Sequence, residues 1–310
     1  MTTAFTELVG CAVPLQLAGM GGIGADGALP VAVSRAGGLG MVGAAGMSPG
    51  ALQDMLVSMS GETAEPFGVN FLVPFLDRDA VVVASKRCRV VEFFYGHPSA
   101  SLIEIAHGGG ALAAWQVGSG DEAAAAERAG CDFLIAQGTE AGGHVRGIQA
   151  RSTVLTELLD AVSVPVLSAG GIGCAGDVVA AMEAGAAGVR VGTRFVAATE
   201  SIAHPEYVAA LVAARAGDTV LTETFNLGWS APHRVLRSAV KEAEASTADS
   251  VGTIEARGRR WPVPRFSTMP PTKDMNGNIA AMALYAGTSA SEVMPRQDAA
   301  DIVAELCREL

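Results

Sequence analysis

The stretch AQGTEAGGHVRG, residues 136–147, gathers the side chains best suited to proton chemistry. An apolar run ends at Gln137 and Gly138, and then Glu140, Gly142, Gly143 and His144 follow in close succession. A neutral imidazole held over a cavity can take a proton from a bound substrate near neutral pH. The same histidine can instead bond a backbone carbonyl in a flexible turn. Glu140 offers acid–base chemistry too, although a carboxylate beside two glycines suits orienting the loop or accepting a backbone amide. A second grouping lies downstream, SAGGIG at 168–173 and VGTRF at 191–195. At Gly170, Gly171, Gly192 and Thr193 the backbone N–H groups can approach an anion closely, with no Cβ in the way at the glycines. That pattern reads as a phosphate cup, against the alternative of ordinary strand-to-helix turns.

The remaining reactive residues carry weaker signals. His97 and His107 flank a helix and read as surface groups, and His204 precedes a proline as a helix-boundary cap. His233 falls on an expected helix over 231–245 within reach of the site. No two histidines have metal-ligand spacing, so no metal site is expected. Arg194 follows the cup and suits a structural ion pair. Cys174 adjoins the cup without a partner base and reads as inert. The five cysteines are scattered without a CxxC, which fits free thiols in a reducing compartment.

Something must hold these groups together. Short β-prone runs at 14–20, 39–45, 66–74, 89–96, 112–118, 133–138, 164–173 and 187–195 alternate with Ala-rich helical runs. Eight such alternations predict a parallel (β/α)8 TIM barrel. The helix at 121–130 carries Asp121 and Glu122 at its start and Gly130 at its end, where charge and positive φ favour them. The mouth of such a barrel lies at the C-terminal strand ends, and phosphate sites there use the loops after strands seven and eight. Asn70, Gln116, Gln137, Glu140 and His144 all fall at strand ends. After Phe195 the pattern changes. Helices are expected at 204–217, 231–245, 277–286 and 298–308, a strand at 218–225 and an extended loop at 261–271. The expected division is a barrel core over 1–195, a C-terminal lid or substrate-side segment over 196–290, and a helix packing back on the barrel over 291–310.

The totals agree with one large buried core: 50% of residues are hydrophobic and only 17% charged. A net charge of −11 and the lack of a basic run argue against nucleic acid or a membrane surface as partner. The start lacks the pattern of a signal peptide, so a cytoplasmic protein is expected. An apolar, glycine-rich chain with a covering lid suits a homodimer.

Together, AVSRAGGLG, PFGVNF, AQGTEAGGH, PVLSAGGIG and GVRVGTRF, in that order, resemble the nitronate monooxygenase family, and AHPEYVAALVAA and APHRVLRSAV extend the resemblance into the lid. The resemblance implies a barrel binding flavin mononucleotide (FMN). Ala18, Gly19, Met20 and Asn70 would lie against the isoalloxazine. Gln137, Gly142 and Gly143 would contact the flavin and ribityl region, and Gly170, Gly171, Gly192 and Thr193 would hold the phosphate. His144 would be the catalytic base toward a nitroalkane, or would orient a nitronate, with O2 completing turnover to a carbonyl compound and nitrite. Many members read Ala-Pro-Met at the first strand end, where this chain reads Ala18-Gly19-Met20. It is therefore also similar to the flavin-dependent enoyl-acyl-carrier-protein reductases, which implies NAD(P)H as an alternative electron donor. The roles of Glu140, Gln116 and His233 stay open in either case.

Overall fold

The computed structural model describes residues 1–215, 217–256 and 258–310. Its frame is eight parallel strands: β1 Leu15–Leu17, β2 Gly40–Gly43, β3 Phe67–Leu72, β4 Val90–Phe94, β5 Leu112–Val117, β6 Phe133–Gln137, β8 Val166–Ala169 and β9 Gly188–Val191. A two-residue strand, β7 (Gly143–His144), interrupts the count outside the barrel. The barrel order runs β1-β9-β8-β6-β5-β4-β3-β2. It closes between β1 and β2, where Leu17 N donates to Leu39 O at 2.9 Å and Leu39 N to Leu15 O at 2.8 Å. The TIM barrel read from the alternation is the fold observed.

Local sequence explains the connecting helices. These are α2 Ala28–Arg35, α3 Pro49–Glu62, α4 Arg78–Ser85, α5 Ala100–Gly109, α6 Gly120–Ala129, α7 Arg151–Ala161 and α8 Ala175–Glu183. Helix α3 starts on a Ser48 cap followed by proline. Helix α6 starts on a Ser119 cap and stops at Gly130 in the left-handed region. A short helix that the sequence reading did not include, α1 (Ala4–Val9), sits at the opposite end from the mouth. Its Phe5 is fully buried and meets Phe133, at the start of β6, edge-on at 5.4 Å between ring centroids.

Beyond the barrel come α9 Thr193–Val196, α10 Pro205–Val212, β10 Thr219–Thr222, β11 His233–Leu236, α11 Arg237–Ala245, β12 Ser250–Ala256, β13 Arg259–Pro264, β14 Met275–Gly277 and α12 Ala299–Cys307. Three expectations are corrected here. Residues 231–245 are not one helix: His233–Leu236 form β11, which pairs with β10 and with β7, and only Arg237–Ala245 is helical. The supposed loop 261–271 begins as β13, hairpinned against β12. The expected helix 277–286 contains only a single 3-10 turn, Ile279–Ala281, after β14. The helix expected over 204–217 spans Pro205–Val212, and positions 216 and 257 of the expected lid lie outside the described residues.

Two apolar clusters result. The barrel cluster includes Ala299, Ile302, Val303 and Leu306 of α12, so the last helix shares the core of the barrel. The second joins Val196, Tyr207, Leu211, Phe225, Val235 and Met282 over the mouth. Among the described residues, no helix is long and apolar enough to cross a membrane, and no group of His, Cys, Asp and Glu is placed to hold a metal ion.

Candidate active site at the barrel mouth

A cavity of about 670 Å³ opens at the C-terminal strand ends. That volume is within the range of small-molecule and cofactor sites. Ala18, Gly19, Met20, Asn70, Gln137, Gly142, Gly143, His144, Gly170, Gly171, Gly192 and Thr193 all line it. Residues scattered over 176 positions of sequence are therefore brought to one cavity, most of them by the barrel and Gly143 and His144 by the β7–β11 pairing.

The floor is polar. Glu92 on β4 is wholly buried, and three side chains converge on it. Gln16 Nε2 donates to one carboxylate oxygen at 2.8 Å and Asn70 Nδ2 to the other at 2.6 Å. The Arg190 guanidinium from β9 also donates to the second oxygen, forming a buried ion pair. A buried carboxylate persists only with such compensation. The consequence for the site is orientation: because Asn70 Nδ2 is held by Glu92, its Oδ1 acceptor is left for whatever occupies the cavity. Gly19 supports the same contact, since a Cβ there would fall 2.5 Å from Asn70 Cβ.

One wall is the glycine cup. Gly170 and Gly171 have φ of 115° and 67°, the left-handed region that glycine adopts without steric cost. Among the described residues, the N–H groups of Gly171 and Gly192 make no hydrogen bond. Side chains would close the cup: a Cβ on Gly171 would sit 2.6 Å from Thr288 Oγ1, and one on Gly142 would sit 2.5 Å from Gly287 N. The segment at 286–289 thus completes the cup from the far end of the chain. Gly287 N donates to Thr193 Oγ1 at 3.0 Å, and Ser289 lines the cavity. Sequence reading did not single out these residues, because no local pattern ties 287–289 to the barrel strands.

His144 also lines the cavity, on β7, and it is not in a flexible turn. β7 pairs with β11 so that His144 faces His233 in register. Gln137 pins the segment from inside: its Nε2 donates to His144 O at 2.9 Å, and its Oε1 accepts from Arg146 N at 3.1 Å. Although Gln137 lines the cavity, its amide is fully engaged by the His144 segment. The imidazole is caged by rings, with Trp229 at 4.0 Å and tilted 30°, Tyr285 and His233 each at 5.5 Å, and Tyr95 at 6.4 Å. Tyr95 itself is held at a φ of 64°, a strained value for a non-glycine residue. Burial, and secondly the neighbouring His233, push the His144 pKa down to about 3, so the ring is neutral at physiological pH. Its Nε2 is buried without a hydrogen-bond partner among the described residues.

The other candidates resolve differently. His233 is completely buried on β11 and does not line the cavity. Its Nδ1 donates to Ala231 O at 2.8 Å and its Nε2 accepts from Phe225 N at 3.2 Å, so both nitrogens are engaged structurally. Glu140 turns away and accepts from Arg151 N with both oxygens, at 3.1 and 2.9 Å, at the start of α7. Gln116 on β5 lines the cavity and its amide makes no hydrogen bond among the described residues. His204 caps α10 by accepting from Glu206 N. Arg194 is buried and donates to Glu305 at 2.8 Å.

A TIM barrel with a polar floor, a glycine cup and a caged neutral histidine at its mouth defines a cofactor-dependent barrel enzyme. The chain belongs to the nitronate monooxygenase family, whose model matches residues 2–81 and 73–309, and it is an oxidoreductase of that family. It is 32% identical over 265 residues to the (3aS,4S,5R,7aS)-5-hydroxy-7a-methyl-1-oxo-octahydro-1H-indene-4-carboxyl-CoA dehydrogenase of Rhodococcus jostii, covering 83% of this chain and 71% of that protein. The structure is similar to FabK from Thermotoga maritima, with a TM-score of 0.82 and 30% identity over 100% of this chain and 96% of that one. It is also similar to nitroalkane oxidase from Streptomyces ansochromogenes, with a TM-score of 0.81 and 25% identity over 99% of this chain and 98% of that one.

Proposed function

We propose that the chain is an FMN-dependent oxidoreductase that oxidises alkyl nitronates, or nitroalkanes, with O2 to carbonyl compounds and nitrite. The observation that carries this reading is the neutral imidazole of His144 lining the same cavity as the glycine cup, where the N–H groups of Gly171 and Gly192 are free among the described residues. The residues fit a flavin nucleotide. Gly171, Gly192 and Thr193 would hold its phosphate, and Ala18, Gly19, Met20 and the Asn70 Oδ1 would lie against its ring, with Gly142 and Gly143 beside the ribityl chain. When bound, the flavin supplies the two-electron chemistry.

The chain's own part is proton handling and exclusion of water. His144 lines the cavity and is neutral, so its imidazole can take an α-proton in this reading. The anion left beside it raises the proton affinity of the ring and offsets the cost of charging it in a buried place. Toward a preformed nitronate the same ring orients a substrate that needs no deprotonation. The segment 196–290 serves as substrate-side cover in this reading, with Trp229, Tyr285 and Ile254 among the residues lining the cavity.

A second reading is reduction of the carbon–carbon double bond of an enoyl thioester, as in an enoyl-acyl-carrier-protein reductase, with NAD(P)H as donor. It is favoured by the 32% identity to a protein named as a carboxyl-CoA dehydrogenase and by the apolar reach of the cavity from Phe94 and Leu72 to Ile254 and Met269. Anaerobic reduction of the bound flavin separates the two. Bleaching by an alkyl nitronate and not by NADPH is the expected result, and the converse overturns the first reading. Replacing His144 with Ala should leave flavin binding intact and slow neutral nitroalkanes by about 10²–10⁴-fold, with a much smaller loss on preformed nitronates. Equal loss on both removes the base role. Protein that neither carries nor can be reconstituted with FMN removes the flavin.

A further inference from the structure

We propose that the β12–β13 hairpin is a landing site for the nucleotide end of coenzyme A, with Trp261 stacking on the adenine and Arg259 meeting a phosphate. The proposal rests on the second reading above, that the cavity admits an acyl thioester, and it adds where the carrier of that thioester is held.

Ile254 lines the cavity, and its direct cross-strand partner is Trp261. Directly opposed residues of an antiparallel pair present their side chains on the same face. Trp261 therefore stands on the cavity side of the hairpin, yet it is 52% exposed. Trp261 does not itself line the cavity; it stands half in water beside Ile254, which does, and its indole is a free stacking surface. The next pair on that face is Ala256 with Arg259. Arg259 is exposed and makes no ion pair or hydrogen bond among the described residues. Its neighbour Arg260 is on the other face and is engaged by Glu255 at 2.7 Å. In a chain of net charge −11, an uncompensated guanidinium two positions from an exposed indole is a local anion site.

The geometry then sets the ligand's shape. An aromatic base on Trp261 places its phosphates within reach of Arg259, and the rest of the molecule must cross the rim past Ile254 into the cavity that His144 lines. A purine nucleotide with a long flexible arm ending in an apolar acyl group meets these demands. A free nucleotide would leave the cavity unfilled, and a short nitroalkane would not reach the hairpin.

The test is direct binding to the flavin-loaded protein by titration calorimetry, using CoA, 3′-dephospho-CoA and pantetheine, without turnover. CoA should bind at least about tenfold more tightly than pantetheine, since stacking and a charge-assisted contact both act on its nucleotide end alone. Trp261→Ala and Arg259→Glu should each erase most of that difference and leave pantetheine unchanged, while Arg260→Glu on the opposite face should change nothing. CoA binding no tighter than pantetheine, or equal effects of the two arginine changes, overturns the site. Binding of an acyl carrier protein that depends on Arg259, with CoA silent, also overturns it in favour of a protein-borne thioester. CoA binding with the expected losses supports the site even where a 2-enoyl-CoA fails to reoxidise the reduced flavin, a result that removes the enoyl-reduction reading alone.

Discussion

Gln137 illustrates how a side chain at the cavity can act through another. Its two hydrogen bonds, to His144 O and from Arg146 N, fix where the imidazole stands. Gln137→Leu removes both while keeping the volume. A displacement of the reacting group by about 1 Å costs about 10²-fold in rate, so kcat should fall to that extent. Flavin affinity, measured by fluorescence, should change little, because the amide is engaged by the loop. A large loss of flavin affinity with normal kcat would instead assign Gln137 to the cofactor. His144 makes a second prediction at this scale. Its folded pKa lies near 3, below its ordinary value of 6.5, because of burial first and His233 second. Between those values the unfolded chain binds a proton that the folded chain does not, so stability falls as pH drops from about 6.5 toward 3. Above about 6.5 this contribution to the pH dependence vanishes. Thermal melts of the cofactor-free protein from pH 7 to 5 should show this slope, and His144→Asn should flatten it. His233, also pushed down by burial, supplies the slope that remains.

At the scale of elements, the barrel was legible because each strand and helix carries its own period and its own punctuation. Gly130 ends α6, and Pro49 starts α3. The cup was legible because glycines at two strand ends need no partner to be recognised. The lid was not. In β11 the sequence HRVLRSAVKEAEA continues into α11 without a break residue, and nothing local says that its first four residues pair with β10 and the first two of them with β7. Tertiary pairing overrode helical propensity there. Met275–Gly277 likewise becomes a strand only because β12 lies beside it. The β7–β11 pairing is what turns His144 from a loop residue into a fixed one. The element-scale prediction concerns His233, whose ring ties Phe225 N to Ala231 O within the segment leading into β11. His233→Ala leaves a buried N–H without a partner and opens a void, at a cost of about 2–4 kcal/mol. By the size scaling of unfolding, melting should occur several degrees lower. Proteolysis in the native state should concentrate at 223–236, since the damage is local. Unchanged stability would mean that β7 holds β11 without it.

For the whole molecule, the decisive contact joins the last helix to the cup. Arg194 follows Gly192 and Thr193 directly, and its guanidinium reaches three places: Gly173 O at 2.7 Å, Gln297 Oε1 at 2.9 Å and Glu305 Oε2 at 2.8 Å. One buried cation thus links the loop after β8, the turn after β9 and α12, while Leu306 and Ile302 bury the face of α12 in the barrel core. Arg194 is almost fully buried, whereas Glu305 keeps 28% of its side-chain surface. Removing the carboxylate strands a buried charge. The cost is about 2 kcal/mol, below the 3–5 of a fully buried pair because water reaches the Glu305 side. Glu305→Ala should therefore lower stability to that extent. The deficit should shrink as pH falls, because the Arg194 hydrogen bond first, then Gln297, hold the Glu305 carboxylate below its ordinary range, and protonation removes the same interaction in the parent. The loosening reaches the cup through Arg194, so flavin mononucleotide should bind more weakly to this variant, whereas riboflavin, which lacks the phosphate, should bind as it does to the parent. Equal weakening of both ligands would place the effect in the barrel as a whole, and would sever the proposed line from α12 to the phosphate wall.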